Sequence, residues 1–335
     1  MGMPFLVPGL PLLDERFPLP LDAPFTLQMA RDCRIHPAEL GRLVRLRLVR
    51  RLVEGVYVVA QVPDSLGLRV DALRLVVPAG AVVTDRTAGW LHGVPMILAP
   101  GDHLSVPPVS IFHRTRGCRL RGDLIASGQR MMPDEHVTEV RGLLVTTPLR
   151  TACDLGRLLK RDAAFAALDA MLRLGAFDKD ELVDAAAGFR GYRWVRQLRG
   201  LAPQADSRAE SPQESILRLR WLDCAGLPRP EPQRPVVAPE WVPGGYYWVD
   251  LGVDDLRFGV EYDGEEFHGS EREDHDAARR SWISDEQGWV LRVVRRSNLH
   301  GRHRDIERIL HVGIEQARTA IGRRRTQPAS RLPDR

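Results

Sequence analysis

Along residues 23–60 apolar positions recur first at helical and then at strand spacing, in APFTLQMARDCRIHPAELGRLVRLRLVRRLVEGVYVVA. Phe25 to Arg31 fits a short helix, and CRIHP fits a turn in which His36 precedes Pro37 as cap and helix start. Residues 38–51 then fit a second helix. Leu40, Leu43, Val44 and Leu48 hold core spacing in it, while Arg42, Arg45, Arg47, Arg50 and Arg51 fall largely elsewhere. EGVYVVA returns as a strand. Helix, turn, basic helix and β-wing are the parts of a winged helix-turn-helix over residues 20–62, with the arginine-bearing helix as the groove reader. The plainer reading is a solvated basic face on a small helical domain.

Residues 101–146 alternate Pro, Gly and short β-rich runs such as DHLSVPP and CRLRGDLIA, which predicts a small antiparallel sheet. LRTACDLGRLLK, DAAFAALDAMLRLG and DKDELVDAAAGF carry helical spacing, with Gly175 and Gly191 placed to stop helices. Residues 63–200 therefore read as a mixed α/β region. GLAPQADSRAESPQE is polar and contains proline, so a linker is expected near 200–211. From Ser211 the pattern runs helix, strand (QRPVVAP), strand (YYWVDLGV), strand (RFGVEYD), helix (EDHDAARRSWISDEQ), strand (WVLRVV) and helix, an αβββαβα order within a domain over 206–322.

Composition changes this picture only in part. The 335 residues are 44% hydrophobic and 27% charged, which fits a folded chain of two or three domains rather than a disordered one. Prolines together with Asp14 and Glu15 break the apolar N-terminus as a signal peptide, and no apolar run approaches the ~20 residues that span a bilayer. Cys33, Cys118, Cys153 and Cys224 show neither disulfide nor zinc spacing, so a reducing cytoplasm is expected. Of 48 basic residues only Lys160 and Lys179 are lysines. Positive charge is thus almost wholly arginine, the side chain suited to bidentate phosphate contacts.

Against a net charge of +4, the segment FGVEYDGEEFHG gathers Glu261, Asp263, Glu265 and Glu266, followed by His268. A two-residue turn at Asp254–Asp255 would set Asp250 opposite Gly259 and Trp248 opposite Glu261. Asp250 and Glu261 would then be diagonal neighbours on one face, with Asp263 on that face too. Such acids repel unless a cation lies between them, and Mg²⁺ or Mn²⁺ would answer, with chemistry suited to phosphodiester hydrolysis. Glu265 and Glu266 read as solvated. His268 would orient water or carry a proton, or stand by as a surface residue. Glu214 reads as the last member of a capping box begun by Ser211. Asp276 and Arg280 are spaced as a helix-surface pair, and Arg279 or Arg280 would alternatively hold phosphate.

Two resemblances follow from these residues. The helix-turn-helix stretch, with VVTDRTAGWLHGVP (82–95) and LLVTTPLRTACDLG (143–156), resembles the N-terminal, regulator-like part of AbiEi-type antitoxins over roughly the first half of the chain. That resemblance implies DNA binding, autoregulation and a cognate toxin or defence partner; His92 in GWLHG is read as packed core. The pattern D-(x)10-E-x-D-G-x(3)-H, followed by Asp276, Arg279, Arg280 and GWVLRVV, resembles the PD-(D/E)XK nucleases, closest to the Vsr-like (very-short-patch-repair endonuclease-like) branch. It implies a restriction-endonuclease-like αβββαβ core in which Asp250 and Glu261 bind metal and Glu214 assists. Asp263 stands where the usual lysine would be, and no lysine follows Lys179. Two functions are expected on these grounds. One is a DNA-directed, metal-dependent endonuclease of phage defence, toxin-antitoxin or repair systems; the other is a non-enzymatic, antitoxin-like DNA-binding regulator with a degenerate nuclease fold.

Overall fold

A computed structural model describes residues 12–78, 80–96, 107–115, 119, 120, 122, 124–264 and 270–326. The described residues form a mixed α+β structure with three sheets, and the chain divides into two compact units between Leu155 and Gly156.

The first unit begins with β1 (Phe25–Thr26), α1 (Leu27–Asp32), α2 (Pro37–Arg45), β2 (Val49–Val53) and β3 (Val56–Val59), the strands pairing antiparallel in the order β1-β3-β2. Thr26 Oγ1 accepts from Met29 N–H at 3.0 Å to cap α1, and His36 Nδ1 accepts from Ala38 N–H at 3.3 Å to cap α2. Phe25, Ala30, Ile35, Leu40, Leu43 and Val59 are buried together beneath them.

The second helix is shorter than the pattern predicts. It stops at Arg45, because Arg47 takes a left-handed φ of 59° while its N–H reaches Val44 O at 3.0 Å and Leu48 N–H reaches Leu43 O at 3.0 Å. Arg34 ends α1 in the same way, with φ 63° and the Ile35 N–H to Ala30 O bond at 2.9 Å. Both stops use arginine where glycine is the usual signal, so the sequence gives no warning. Arg50 and Arg51, expected on the helix, lie on β2.

After α3 (Leu66–Arg74) come β4 (Ala81–Val83), α4 (Asp85–Leu91), β5 (Val109–His113), β6 (Ile125–Gln129), β7 (Val137–Val140), β8 (Leu143–Thr146) and α5 (Pro148–Leu158). The strand order is β6-β5-β4-β8-β7, with β5–β6 and β4–β8 parallel. The purely antiparallel sheet expected over 101–146 is therefore a mixed one that recruits β4 from outside that range. Val83, Ile111 and Val145 meet the buried face of α3 through Leu68, Ala72 and Leu73.

The second unit opens with α6 (Arg161–Leu172), α7 (Lys179–Gly188), α8 (Val195–Leu201) and α9 (Pro212–Asp223). The segment expected as a linker at 200–211 is packed within this unit: Ala205 and Ala209 are fully buried, and Asp206 N–H donates to Asp169 Oδ1 at 2.9 Å. Asp169 also takes two 2.7 Å bonds from Arg218 Nη2, joining α6 to α9 through a buried ion pair. A four-stranded sheet follows, β9 (Glu231–Val237), β10 (Tyr246–Val253) and β11 (Phe258–Tyr262) antiparallel, then α10 (Ser270–Ser281), a π-helical turn at Trp282–Glu286, and β12 (Val290–Val294) parallel to β11. α11 (Arg296–Leu299) and α12 (Ile306–Thr326) complete it. Leu251, Phe258 and Val260 pack against Leu217 and Trp221 of α9 and Leu310 and Ile314 of α12.

Candidate nucleic-acid interface and acidic centre

The 3.6-residue period places Leu40 and Leu43 of α2 in the core and leaves Arg42 and Arg45, one turn apart, exposed. Arg31, Arg34, Arg47 and Arg51 are exposed as well, and none of these six arginines has an ion pair with a described residue. Arg50 differs: its Nη2 donates to Val62 O at 2.8 Å and its Nη1 lies 3.9 Å from Asp64, so it braces the hairpin. Arg50, one of the expected DNA contacts, is thus bonded within its own unit. Arg31 and Arg34 were not expected among them; their only signal is position, at the turn between the two helices.

In the second unit the turn between β10 and β11 is a 3₁₀ turn at Asp254–Leu256 with Arg257 at φ 46°, not a two-residue turn. Pairing runs Val253↔Phe258, Gly252↔Gly259 and Leu251↔Val260, and continuing it sets Asp250 opposite Glu261 rather than opposite Gly259. The register differs from the expected one by two residues, so the faces are preserved. At Asp250 the strand also turns over: its pairing with β9 runs to Val249↔Arg234 and resumes at Leu251↔Pro232, with Gln233 at φ 51°. Val249 accordingly packs with Val236 and Ile283, whereas Leu251 packs with Leu217 and Trp221.

Each acid here already has donors. Asp250 Oδ2 accepts from Tyr262 N–H at 2.7 Å. Glu261, only 3% exposed, takes Arg279 Nη1 on Oε1 at 2.7 Å and Arg279 Nη2 on Oε2 at 2.8 Å, and Arg280 Nε adds 3.1 Å to Oε2. Glu214 Oε2 accepts from Glu210 N–H and from Gln233 Nε2, each at 2.9 Å. Ser211 Oγ caps Glu214 N–H at 3.1 Å, so half of the capping box is present while the Glu214 carboxylate bonds one residue upstream of the cap. Burial pushes the Asp250 carboxyl up to about 7, and the negative charges of Glu214 and Glu261 push the same way; the Tyr262 N–H and Arg279 oppose them.

The other expected site residues fall elsewhere. Asp263 pairs with Arg295 at 3.4 Å, and its N–H donates to Val294 O at 2.8 Å. Arg279 and Arg280, expected to hold phosphate, hold Glu261 instead. Asp276 lies 3.9 Å from Arg279 rather than pairing with Arg280. His92 Nε2 sits 2.7 Å from Thr146 O within the fold. His268, Glu265 and Glu266 lie outside the described residues.

A PD-(D/E)XK resemblance implies a divalent metal held by Asp250 and Glu261. The donor set does not fit one: both Glu261 oxygens are taken by guanidinium groups, and a hard cation needs oxygen lone pairs free for it. Among the described residues no group of three or more His, Cys, Asp or Glu is placed to hold a metal ion.

Fold and site together define the class: a multi-domain α+β protein with an arginine-faced N-terminal helix pair and a separate C-terminal α/β unit. Residues 73–204 match the family model of the AbiEi antitoxin C-terminal domain. Two curated relatives, uncharacterized proteins from two strains of Mycobacterium tuberculosis, are each 34% identical over 249 residues, covering 72% of this chain and 83% of theirs. The chain belongs to the family of these mycobacterial proteins. The antitoxin match takes in the 82–95 and 143–156 stretches and most of the 63–200 region, but it leaves out α1 and α2 and is to the antitoxin's C-terminal domain rather than the expected N-terminal part.

Proposed function

We propose that this chain is a DNA-binding regulator of the antitoxin type, acting in the cytoplasm with a cognate toxin in a toxin-antitoxin or abortive-infection system. The observation that carries the reading is the arginine surface around α1, α2 and β2, where Arg31, Arg34, Arg42, Arg45, Arg47 and Arg51 are exposed without an ion pair to any described residue, beside a two-stranded hairpin. This arrangement supports a winged helix-turn-helix reading, in which Arg42 and Arg45 would face the groove and the remaining arginines phosphate. The match to an antitoxin domain supports the biological setting and a toxin as partner. No described helix is long and apolar enough to cross a membrane.

In the C-terminal unit the helix, antiparallel meander, helix and parallel strand support a nuclease-like fold used as a platform. The approach of Asp250 to Glu261 favours phosphodiester hydrolysis as a second reading, and the arginines on Glu261 weigh against it. DNA binding is tested by fluorescence anisotropy with the protein's own promoter fragment at fixed salt. Arg42→Ala/Arg45→Ala is expected to weaken binding at least tenfold with unchanged thermal unfolding; equal affinity would remove the basis for the reading. Plasmid incubated with Mg²⁺ or Mn²⁺ is expected to stay intact, and nicking that Asp250→Ala abolishes would establish the hydrolytic reading instead.

A further inference from the structure

Glu261 is a buried carboxylate whose counter-ions come from one helix. Arg279 meets it side-on through both terminal nitrogens, the bidentate geometry in which a guanidinium matches a carboxylate. Its Nη1 also donates to Trp248 O at 3.2 Å, so a single guanidinium spans β10 and β11. Arg280 supplies the third bond. A carboxylate offers about four lone-pair sites, and three are occupied. A divalent ion at Glu261 would have to displace these bonds and lie beside two fixed positive charges. Of the nearby acids, Asp250 is engaged by Tyr262 through Oδ2 and Glu214 by Glu210 and Gln233 through Oε2.

We infer that Arg279 and Arg280 are the resident cations of this acidic centre, and that they latch α10 to the sheet through Glu261 without any metal ion. The latch is independent of what the N-terminal unit binds. It explains why an acid can be buried at the end of β11 with no lysine near it. It also makes the centre a cryptic cation site: neutralising both arginines leaves the Glu261 carboxylate beside Asp250 with no counter-ion, and a hard cation is the natural replacement.

The test is a calorimetric Mn²⁺ titration of the full chain, with thermal unfolding in EDTA and in millimolar Mn²⁺. The wild-type protein is expected to show no stoichiometric Mn²⁺ binding that depends on Glu261 and the same melting temperature in both solutions. Arg279→Met/Arg280→Met is expected to gain a Mn²⁺-dependent rise in melting temperature, abolished by adding Glu261→Gln. In Glu261→Gln alone, amide exchange across residues 275–281 is expected to quicken at least tenfold. One Mn²⁺ bound by the wild type and lost in Glu261→Gln would overturn the inference, and so would unchanged exchange in α10. The wild-type titration decides even where a variant fails to fold.

Discussion

At Asp250 the fold works against the charge of a carboxylate. Its ordinary value of 3.8 is pushed up to about 7 by burial first and by Glu214 next. Between those values the folded chain holds a proton that the unfolded chain has released, so the residue's contribution to stability falls as pH rises from about 4 to about 7 and is level above. Asp250→Asn removes that dependence while keeping an acceptor for the Tyr262 N–H. The stability difference between variant and wild type, from urea unfolding, is therefore expected to shift in the variant's favour by on the order of 2–3 kcal/mol between pH 5 and pH 8. An equal difference at both values would show that Asp250 is ionised in the folded protein. The chemical type of this residue was legible in the sequence, but its environment was not: the acids are consecutive on alternating strand positions, whereas Arg279 and Arg280 reach Glu261 from 18 and 19 residues away.

Among elements, the places where pattern reading failed share one cause. Periodicity continues through Arg47 to Arg51 because apolar residues keep arriving at acceptable intervals, while the backbone reverses at Arg47 through bonds that any residue can make. The β10–β11 turn is two residues longer than expected, both on its C-terminal side, for a similar reason, as Arg257 takes a left-handed conformation without being glycine. Close approach between elements is as hidden. A Cβ on Gly313 of α12 would lie 2.6 Å from Cζ of the buried Phe258 on β11, so this glycine sets how near the helix comes to the sheet. Gly313→Ala, normally favourable in a helix interior, is expected to cost about 1–3 kcal/mol in chemical denaturation through overpacking. A neutral or stabilising result would mean that α12 can lift away from Phe258 freely.

For the whole molecule, function divides along the two compact units. On the proposed function, Arg31, Arg34, Arg42, Arg45, Arg47 and Arg51, which have no ion pair with a described residue, would replace counter-ions on DNA, whereas Arg279 and Arg280 of α10 are already paired with Glu261. Salt dependence separates these roles, since each phosphate contact adds about 0.9 to the slope of log affinity against log salt. Arg42→Ala/Arg45→Ala is expected to lower that slope by about 2, and Arg279→Met to leave it unchanged. A fall with Arg279→Met would bring the C-terminal unit onto the nucleic acid. A modest net charge of +4 is compatible with the proposed division because local unpaired charge, not the sum, would meet the phosphates.

The amino-acid sequence by itself determined the order of helices and strands from Ser211 onward and the arginine-rich face of α2. These are properties of local period and side-chain type, which the backbone geometry of helix and strand converts directly into facing. Only the tertiary structure decided where α2 stops, that residues 200–211 are packed rather than free, and that the charge balancing Glu261 comes from arginines. Those outcomes depend on which distant groups are brought within hydrogen-bonding reach, and neither period nor composition carries that distance.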